Sequence, residues 1–222
     1  MRTSIVVPAY NEATTIAEVV ARIASFGRPI VVDDGSTDST GAIARSAGAE
    51  VVRHDENRGY DGAIESGFKR AQAIATDIVV TFDADGQHDP TLLPDIISPL
   101  VSGQAELVIG IREKPARWSE ALFNAYARLK YGVPDILCGL KGYRMSLYRV
   151  HGCFDSTQSI GTELALAGLR QGATAALISV PVGKRQDQAR IGSAILANYR
   201  ILKAFTTALR QDITTALLMK SP

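Results

Sequence analysis

The chain has 222 residues and a mass of 23.7 kDa, which suits one fairly large domain with room for a short appendage. Its 46% hydrophobic residues can fill a core, and a net charge of +1 gives no global field to draw nucleic acid, which is therefore not an expected partner. Two cysteines, Cys138 and Cys153, make neither a disulfide framework nor a zinc site, so a reducing, cytoplasmic setting is expected.

The first strand is "SIVVP" (4–8), too short for the apolar core of a secretory signal, and residues 1–20 lack its basic start. A helix follows, with Ile16, Val19, Val20 and Ile23 on one face. "PIVVDD" (29–34) and "EVVRH" (50–54) read as the second and third strands, with a helix through Ala42, Ile43 and Ala44 between them. Ala63, Ile64, Gly67, Phe68 and Ala71 mark the next helix. "DIVVTFDAD" (77–85) is a fourth strand, "TLLPDIISPLV" a short helix and "AELVIGI" (105–111) a fifth strand. Strands and helices alternating at this spacing predict an α/β domain with a mainly parallel sheet, whose ligands bind at the carboxyl ends of the strands. No apolar run approaches the ~18 residues needed to cross a bilayer.

Polar clusters fall at those strand ends. Asn11 and Glu12 follow the first strand, Asp33 and Asp34 close the second, and Asp83 and Asp85 close the fourth. Turn chemistry accounts for one such cluster, because Asp, Gly and Ser are ordinary turn formers. Three on one rim point to a site. Asp83 and Asp85 flank a single alanine before Gly86, with Gln87 adding an amide oxygen. Mg²⁺ or Mn²⁺ takes oxygen ligands of this kind and completes its sphere with phosphates and water, so the three form half a coordination sphere suited to a diphosphate. Motifs for dinucleotide, P-loop, serine-hydrolase and zinc-protease chemistry are missing. His54, His88 and His151 are too scattered for a metal pair; His54 reads as a rim or loop residue and His151 as structural.

"VVPAYNE" (6–12), "VVDDGSTDST" (31–40) and "FDADGQHDP" (82–90), in that order, resemble the family 2 glycosyltransferases of the GT-A fold. The resemblance is greatest to the branch containing dolichol-phosphate mannose synthases and bacterial polyprenyl-phosphate glycosyltransferases. Weaker similarity continues through 124–144, 162–182 and 184–193. It implies a nucleotide-diphospho-sugar transferase fold, a mainly parallel central sheet flanked by helices, with a C-terminal amphipathic helix. Residues 1–183 would form the catalytic domain, with 1–112 the nucleotide-sugar half and 113–183 the acceptor half. Residues 184–222 would be a basic helical tail.

The resemblance also implies roles. Pro8, Ala9, Tyr10 and Glu12 would line the nucleotide pocket, with Asp34 accepting from the base, while Asp33 and Ser36 brace the turn. Asp61 stands where relatives often carry a small residue, and joins Asp83 in the donor set. Asp83, Asp85 and Gln87 would hold Mg²⁺ or Mn²⁺, and Asp85 counts as catalytic. The chemistry implied is displacement at the anomeric carbon of a GDP- or UDP-sugar with inversion. A polyprenyl phosphate acceptor needs no base, whereas a hydroxyl acceptor does, for which Glu163 or Asp135 is the candidate. A catalytically idle nucleotide-sugar binder is the third alternative. For an anionic acceptor the candidate contacts are Arg112, Arg117, Lys141 and Arg144, with Arg117 and Arg144 the preferred pair.

From Lys184 onward seven basic residues face two acidic ones, a net +5 that leaves −4 for residues 1–183. Ile195, Tyr199, Leu202, Phe205 or Thr206, Leu209, Ile213 and Leu217 recur at helical steps. Periodicity alone suggests a core-packed or dimerising helix. Concentrated charge and a bilayer-borne acceptor suggest instead a peripheral helix on the cytoplasmic face of a membrane, with a homo-oligomer or a membrane-protein partner left open.

Overall fold

β-Branched runs buried on both faces form the centre of a seven-stranded sheet in this computed structural model, which describes residues 1–86, 88–113, 117–181 and 194–218. The strands are β1 (Thr3–Ala9), β2 (Arg28–Asp33), β3 (Glu50–Arg53), β4 (Ile78–Thr81), β5 (Leu107–Arg112), β6 (Lys141–Arg144) and β7 (Ala175–Val180). They lie in the order β3-β2-β1-β4-β6-β5-β7, and only β6 runs antiparallel to its neighbours. The chain builds outward from β1 to β3 and then returns to place β4 against β1. The crevice beyond the carboxyl ends of β1 and β4 is therefore the topological switch point where ligands bind in such sheets. Because β6 is reversed, its first residue, Lys141, pairs with Thr81 and stands at that same rim, as does Arg112 at the end of β5.

Alternation along β1 divides the core in two. Ile5 and Val7 pack with α1 (Ile16–Ile23), α2 (Thr40–Ser46) and α4 (Leu93–Ser102). Val6 packs with α3 (Gly59–Ala73), α5 (Trp118–Tyr131), α6 (Met145–His151), α7 (Glu163–Arg170) and α8 (Ala194–Leu218). Burial on both faces explains why these strands read as continuous apolar runs. Helix α3 rests directly on β1: a Cβ at Gly67 would lie 2.2 Å from Val6 Cγ1.

The five expected strands are present, the fourth ending at Thr81, so that Asp83 and Asp85 lie in the turn beyond it. Strands β6 and β7 were not anticipated. β6 is four residues with a charge at each end, and β7 is an edge strand with Ala175, Leu177 and Ser179 exposed.

The tail presents a different face from the one its periodicity suggests. Helix α8 packs on α5 and α7 through Ala197, Ile201, Ala204, Ala208 and Asp212, while Ile195, Tyr199, Leu209 and Ile213 point outward. Small side chains let the helix approach closely, and Asp212 fastens it. Its buried carboxylate accepts from Tyr131 Oη (2.6 Å), Lys130 Nζ (2.8 Å), Tyr126 Oη and Arg170 Nε. Burial alone would push the Asp212 carboxyl up, but these donors outweigh it and hold it down at about 2.

Asp212→Ala strands the Arg170 guanidinium and is expected to cost about 3–5 kcal/mol at neutral pH in urea unfolding. The folded-state value is depressed, so this stabilisation is full above the ordinary carboxylate range. The gap from wild type should shrink as pH falls from about 4 toward 2.

Candidate active site

Three strand ends and one reversed strand deliver the polar groups. After β1 the backbone turns at Asn11, which adopts φ 55°, a left-handed conformation that Asn tolerates. The Asn11 N–H donates to Ser36 Oγ at 3.0 Å, and its Oδ1 accepts from the Thr37 N–H at 2.9 Å. The buried Glu12 donates its N–H to Thr40 Oγ1 at 2.8 Å. Pro8 and Ala9 sit on β1 at this junction, beside an exposed Tyr10. The loops after β1 and β2 are thus stitched into one wall.

Asp33 and Asp34 divide the work behind that wall. Asp33 is fully buried; its Oδ1 accepts from the Ser36 N–H at 3.0 Å and its Oδ2 pairs with Arg53. It braces the turn. Asp34 accepts the N–H groups of Arg58 and Gly59, each at 2.8 Å, and hydrogen-bonds His54 Nδ1 at 2.7 Å. It satisfies orphan donors at the start of α3, which has no local side-chain cap. At least three of the roughly four acceptor sites of its carboxylate are therefore filled by the protein. His54 is buried, with Nε2 2.8 Å from Ser66 Oγ, so it ties Asp34 to α3.

The carboxylate turn lies between β4 and the 3₁₀ turn Pro90–Leu92. Gly86 takes φ 72°, and Asp89 caps the following turn by accepting from the Thr91 N–H. Asp83 is a third exposed, and its Oδ2 hydrogen-bonds His88 Nε2 at 3.0 Å. Burial disfavours the charged His88 ring, but the hydrogen bond to Asp83 and the charges of Asp83 and Asp85 prevail, raising its pKa. Paired carboxylates that hold an imidazole proton already show a demand for positive charge. Their hard oxygens fit Mg²⁺ or Mn²⁺. Gln87 lies outside the described residues.

Opposite this turn, the backbone of Gly139 closes in. A Cβ there would come 3.2 Å from Asp83 Oδ2 and 3.5 Å from Tyr60 Oη. Thr81 Oγ1 fixes the approach by donating to the Gly139 carbonyl at 2.6 Å. Lys141 is buried and donates to the Gly161 carbonyl at 3.1 Å; burial pushes its ammonium pKa down. Nearby Asp61 keeps Oδ1 buried without a hydrogen-bond partner. Burial, then the charge of Asp155, raises Asp61 to about 7, against smaller opposing effects from Gly161, Ile160 and Lys141. Neither the half-buried Tyr60 nor the close approach of Gly139 was foreseen in the residue pattern, though Tyr60 precedes Asp61 and Gly139 lies within the 124–144 stretch.

Arg112 joins the rim through a bidentate pair with the buried Asp135, Nε to Oδ2 at 2.7 Å and Nη2 to Oδ1 at 2.9 Å. It also reaches Glu120 at 3.2 Å, and Arg117 reaches the same carboxylate at 3.1 Å. Two guanidiniums thereby converge on one acid.

Three expected roles change. Asp135 is buried, which opposes its charge, but Arg112 prevails and lowers its pKa; it also accepts from Asn124, so it is an anchor rather than a base. Glu163 accepts from the N–H and hydroxyl of both Ser156 and Thr157 at 2.8–3.0 Å and hydrogen-bonds His151. Burial raises and these bonds lower its carboxyl, with a net value of about 2, unsuited to taking a proton near neutrality. It ties the 151–157 loop to α7. Arg144 lies at the far end of β6, paired with Ile78 and donating to the Leu100 carbonyl at 2.7–2.9 Å. That end of the sheet is opposite the site.

A model of glycosyl transferase family 2 matches residues 4–152. Among curated proteins the chain is 35% identical over 129 residues to a UDP-N-acetylglucosamine–dolichyl-phosphate N-acetylglucosaminyltransferase of Methanococcus voltae, covering 50% of this chain and 51% of that protein. It is 30% identical over 172 residues to an undecaprenyl-phosphate mannosyltransferase of Micrococcus luteus, covering 67% of this chain and 69% of that one. An uncharacterized Methanocaldococcus jannaschii protein is 41% identical over 110 residues, covering 49% of this chain and 45% of its own length. The matched stretch thus spans about half the length of two of these relatives. Among solved structures, glucosyl-3-phosphoglycerate synthase of Mycobacterium tuberculosis in complex with Mn²⁺ and UDP-glucose superposes with a TM-score of 0.75 at 22% identity, covering 93% of this chain and 78% of that chain. The fold is the GT-A fold that the resemblance implies.

The orphaned Asp61 carboxyl has a measurable signature. Its folded pKa is raised, so the native state favours the neutral acid, and stability falls as pH rises from about 4 to about 7. Asp61→Asn cannot ionise and should stabilise the metal-free protein by about 1–3 kcal/mol at pH 8, with almost no gain at pH 4. Thermal unfolding at the two pH values, in EDTA, checks this.

Proposed function

The chain belongs to glycosyl transferase family 2, and from that premise we propose that it moves a sugar from a GDP- or UDP-sugar to a polyprenyl phosphate. The observation that carries the reading is the meeting of two oppositely charged groups at one rim. Asp83 and Asp85 lie in the turn after β4. Beside it along the same edge Lys141 begins β6 and Arg112 ends β5, with Arg117 on the carboxylate that Arg112 also reaches. The first group suits a diphosphate with its cation, and the second suits an anionic acceptor.

Asp83 and Asp85 would hold Mg²⁺ or Mn²⁺ with the donor's diphosphate. A bound cation supplies positive charge against the departing nucleoside diphosphate. The wall formed by Pro8, Ala9, Tyr10 and Glu12, braced from behind by Asp34, takes the nucleoside. Asp61, whose buried Oδ1 has no hydrogen-bond partner within the protein, hydrogen-bonds a donor hydroxyl. The acceptor phosphate attacks the anomeric carbon on the face opposite the leaving diphosphate, which inverts that centre.

The environments of Glu163 and Asp135 favour a phosphate acceptor over a hydroxyl. Both carboxylates proposed as bases are fixed by donors and held below the usual range. A phosphate oxygen is already ionised near pH 7 and needs no base. The Micrococcus luteus and Methanococcus voltae relatives, named for undecaprenyl and dolichyl phosphates, lend the same support. Such an acceptor places the work at a membrane surface, on the cytoplasmic side where nucleotide sugars are available.

The test is nucleoside diphosphate release from a panel of GDP- and UDP-sugars with Mg²⁺ or Mn²⁺, with and without a short polyprenyl phosphate. Release is expected to depend on the lipid phosphate. Asp85→Ala should lower it at least about 100-fold while leaving the fold intact. Arg117→Ala should weaken use of the acceptor by about 1.5–3 kcal/mol and leave donor binding alone. Release that needs only a soluble sugar identifies a hydroxyl acceptor, and binding without turnover identifies an idle sugar-nucleotide binder.

A further inference from the structure

Helices α5 and α8 run side by side in the same direction. Ser119 Oγ donates to Asn198 Oδ1 at 2.6 Å near their starts, and Lys130 and Tyr131 reach Asp212 near the end of α5. Between these, Phe123 and Tyr126 pack against Phe205, the first tilted and the second edge-on, each with centroids 5.4 Å apart. At 100° per residue, Asn198, Phe205 and Asp212 define the side of α8 that faces α5, and Ala197, Ala204 and Ala208 the side that faces the core. Tyr199, Leu209 and Ile213 fall opposite the core. On α5 the same construction puts Ser119, Phe123 and Tyr126 toward α8, Ala127 toward the core, and Trp118, Leu122 and Leu129 opposite it. Both helices therefore turn an apolar stripe the same way, out of the fold. Leu129 is 90% exposed, Trp118 and Tyr199 63% each and Ile213 53%.

Charge on the two helices is sorted by the same geometry. Their acidic residues, Glu120 and Asp212, point inward and are buried against arginine and lysine. Their basic residues Arg128, Lys130, Arg200, Lys203 and Arg210 are exposed. On the helical wheel Arg128 borders the plate on the α5 side, and Arg200, Lys203 and Arg210 border it on the α8 side. The plate is thus an apolar centre, containing a Trp and a Tyr, between two cationic margins. Neither helix is long and apolar enough to cross a membrane.

We propose that this α5–α8 plate is the surface by which the protein lies on an anionic bilayer. It deepens the reading above, and rests on it for the identity of the acceptor embedded in that bilayer. The complementarity is specific: apolar and aromatic side chains enter the interface while the margins meet anionic headgroups. A second copy of the chain fits less well, because a two-fold contact sets the same cationic margins against each other with no exposed acid on either helix to answer them.

The experiment is sedimentation of the full chain with vesicles of phosphatidylcholine, with or without phosphatidylglycerol, containing no polyprenyl phosphate. Binding to the anionic vesicles is expected to be at least tenfold tighter than to neutral ones, and to weaken with salt. Leu129→Glu with Ile213→Glu, both at exposed positions, should lower it at least tenfold, as should Lys203→Glu with Arg210→Glu. Circular dichroism should show each pair still folded. Turnover with a short polyprenyl phosphate in detergent should be unchanged. Undiminished binding by the folded variants, or no preference for anionic vesicles, overturns the proposal. So does a wild-type dimer that the Leu129 and Ile213 substitutions split into monomers, which gives the plate to a second copy. Vesicle binding without turnover on any lipid phosphate supports the plate and removes the acceptor reading instead.

Discussion

Parallel strands carry their last residues to one edge, and here that edge is rich in carboxylates whose mutual repulsion has to be neutralised. The chain meets this demand in two ways. Asp33 and Asp135, which brace loops, are paired with the guanidiniums of Arg53 and Arg112, which stay charged at any physiological pH. Asp83, a third exposed at the crevice, is paired with the imidazole of His88. An imidazole can give up its proton when another cation arrives. The permanent pairs hold the rim's shape, and the exchangeable pair at Asp83 lies in the turn proposed above to hold a metal with a diphosphate.

Carboxylates organise the second half of the chain in the same way. Asp155 gathers the Ser159 and Thr157 N–H groups, and Glu163 gathers those of Ser156 and Thr157, winding 155–161 into a tight loop. Gln158, Ile160 and Gly161 take positive φ there, a strained path that these anion-centred bonds hold in place. The loop then presents the Gly161 carbonyl to the Lys141 ammonium and closes over Tyr60. Asp212 performs the corresponding task for α8, drawing donors from α5 and α7 to one point.

Sequence reading succeeded where one force dominated. Strands β1, β2, β4 and β5 were legible because burial on both faces leaves long β-branched runs, β3 from its paired valines, and the rim because acidic clusters end the first, second and fourth runs. It failed where the outcome depends on what lies opposite. Lys141–Arg144 is a strand only because β4 and β5 flank it, and that reversed course carries Arg144 away from the rim. Glu163 resembles a base in isolation; its role is decided by hydroxyls in a loop six or seven residues earlier. In α8 the large apolar residues that attract notice face outward, while alanines seat the helix. Periodicity identifies a stripe but not the side of the helix that meets the core.

The account depends most on Asp83 and Asp85 being a cation site that takes a diphosphate. Calorimetric titration of the protein with UDP and with GDP, in Mn²⁺ and again in EDTA, tests this without any assumption about acceptor or sugar. At least one nucleotide should bind in Mn²⁺, lose its affinity in EDTA, and bind no better in Mn²⁺ than in EDTA once Asp83 is changed to Asn. Equal nucleotide affinity with and without the metal would contradict the account and return the strand-end carboxylates to turn structure.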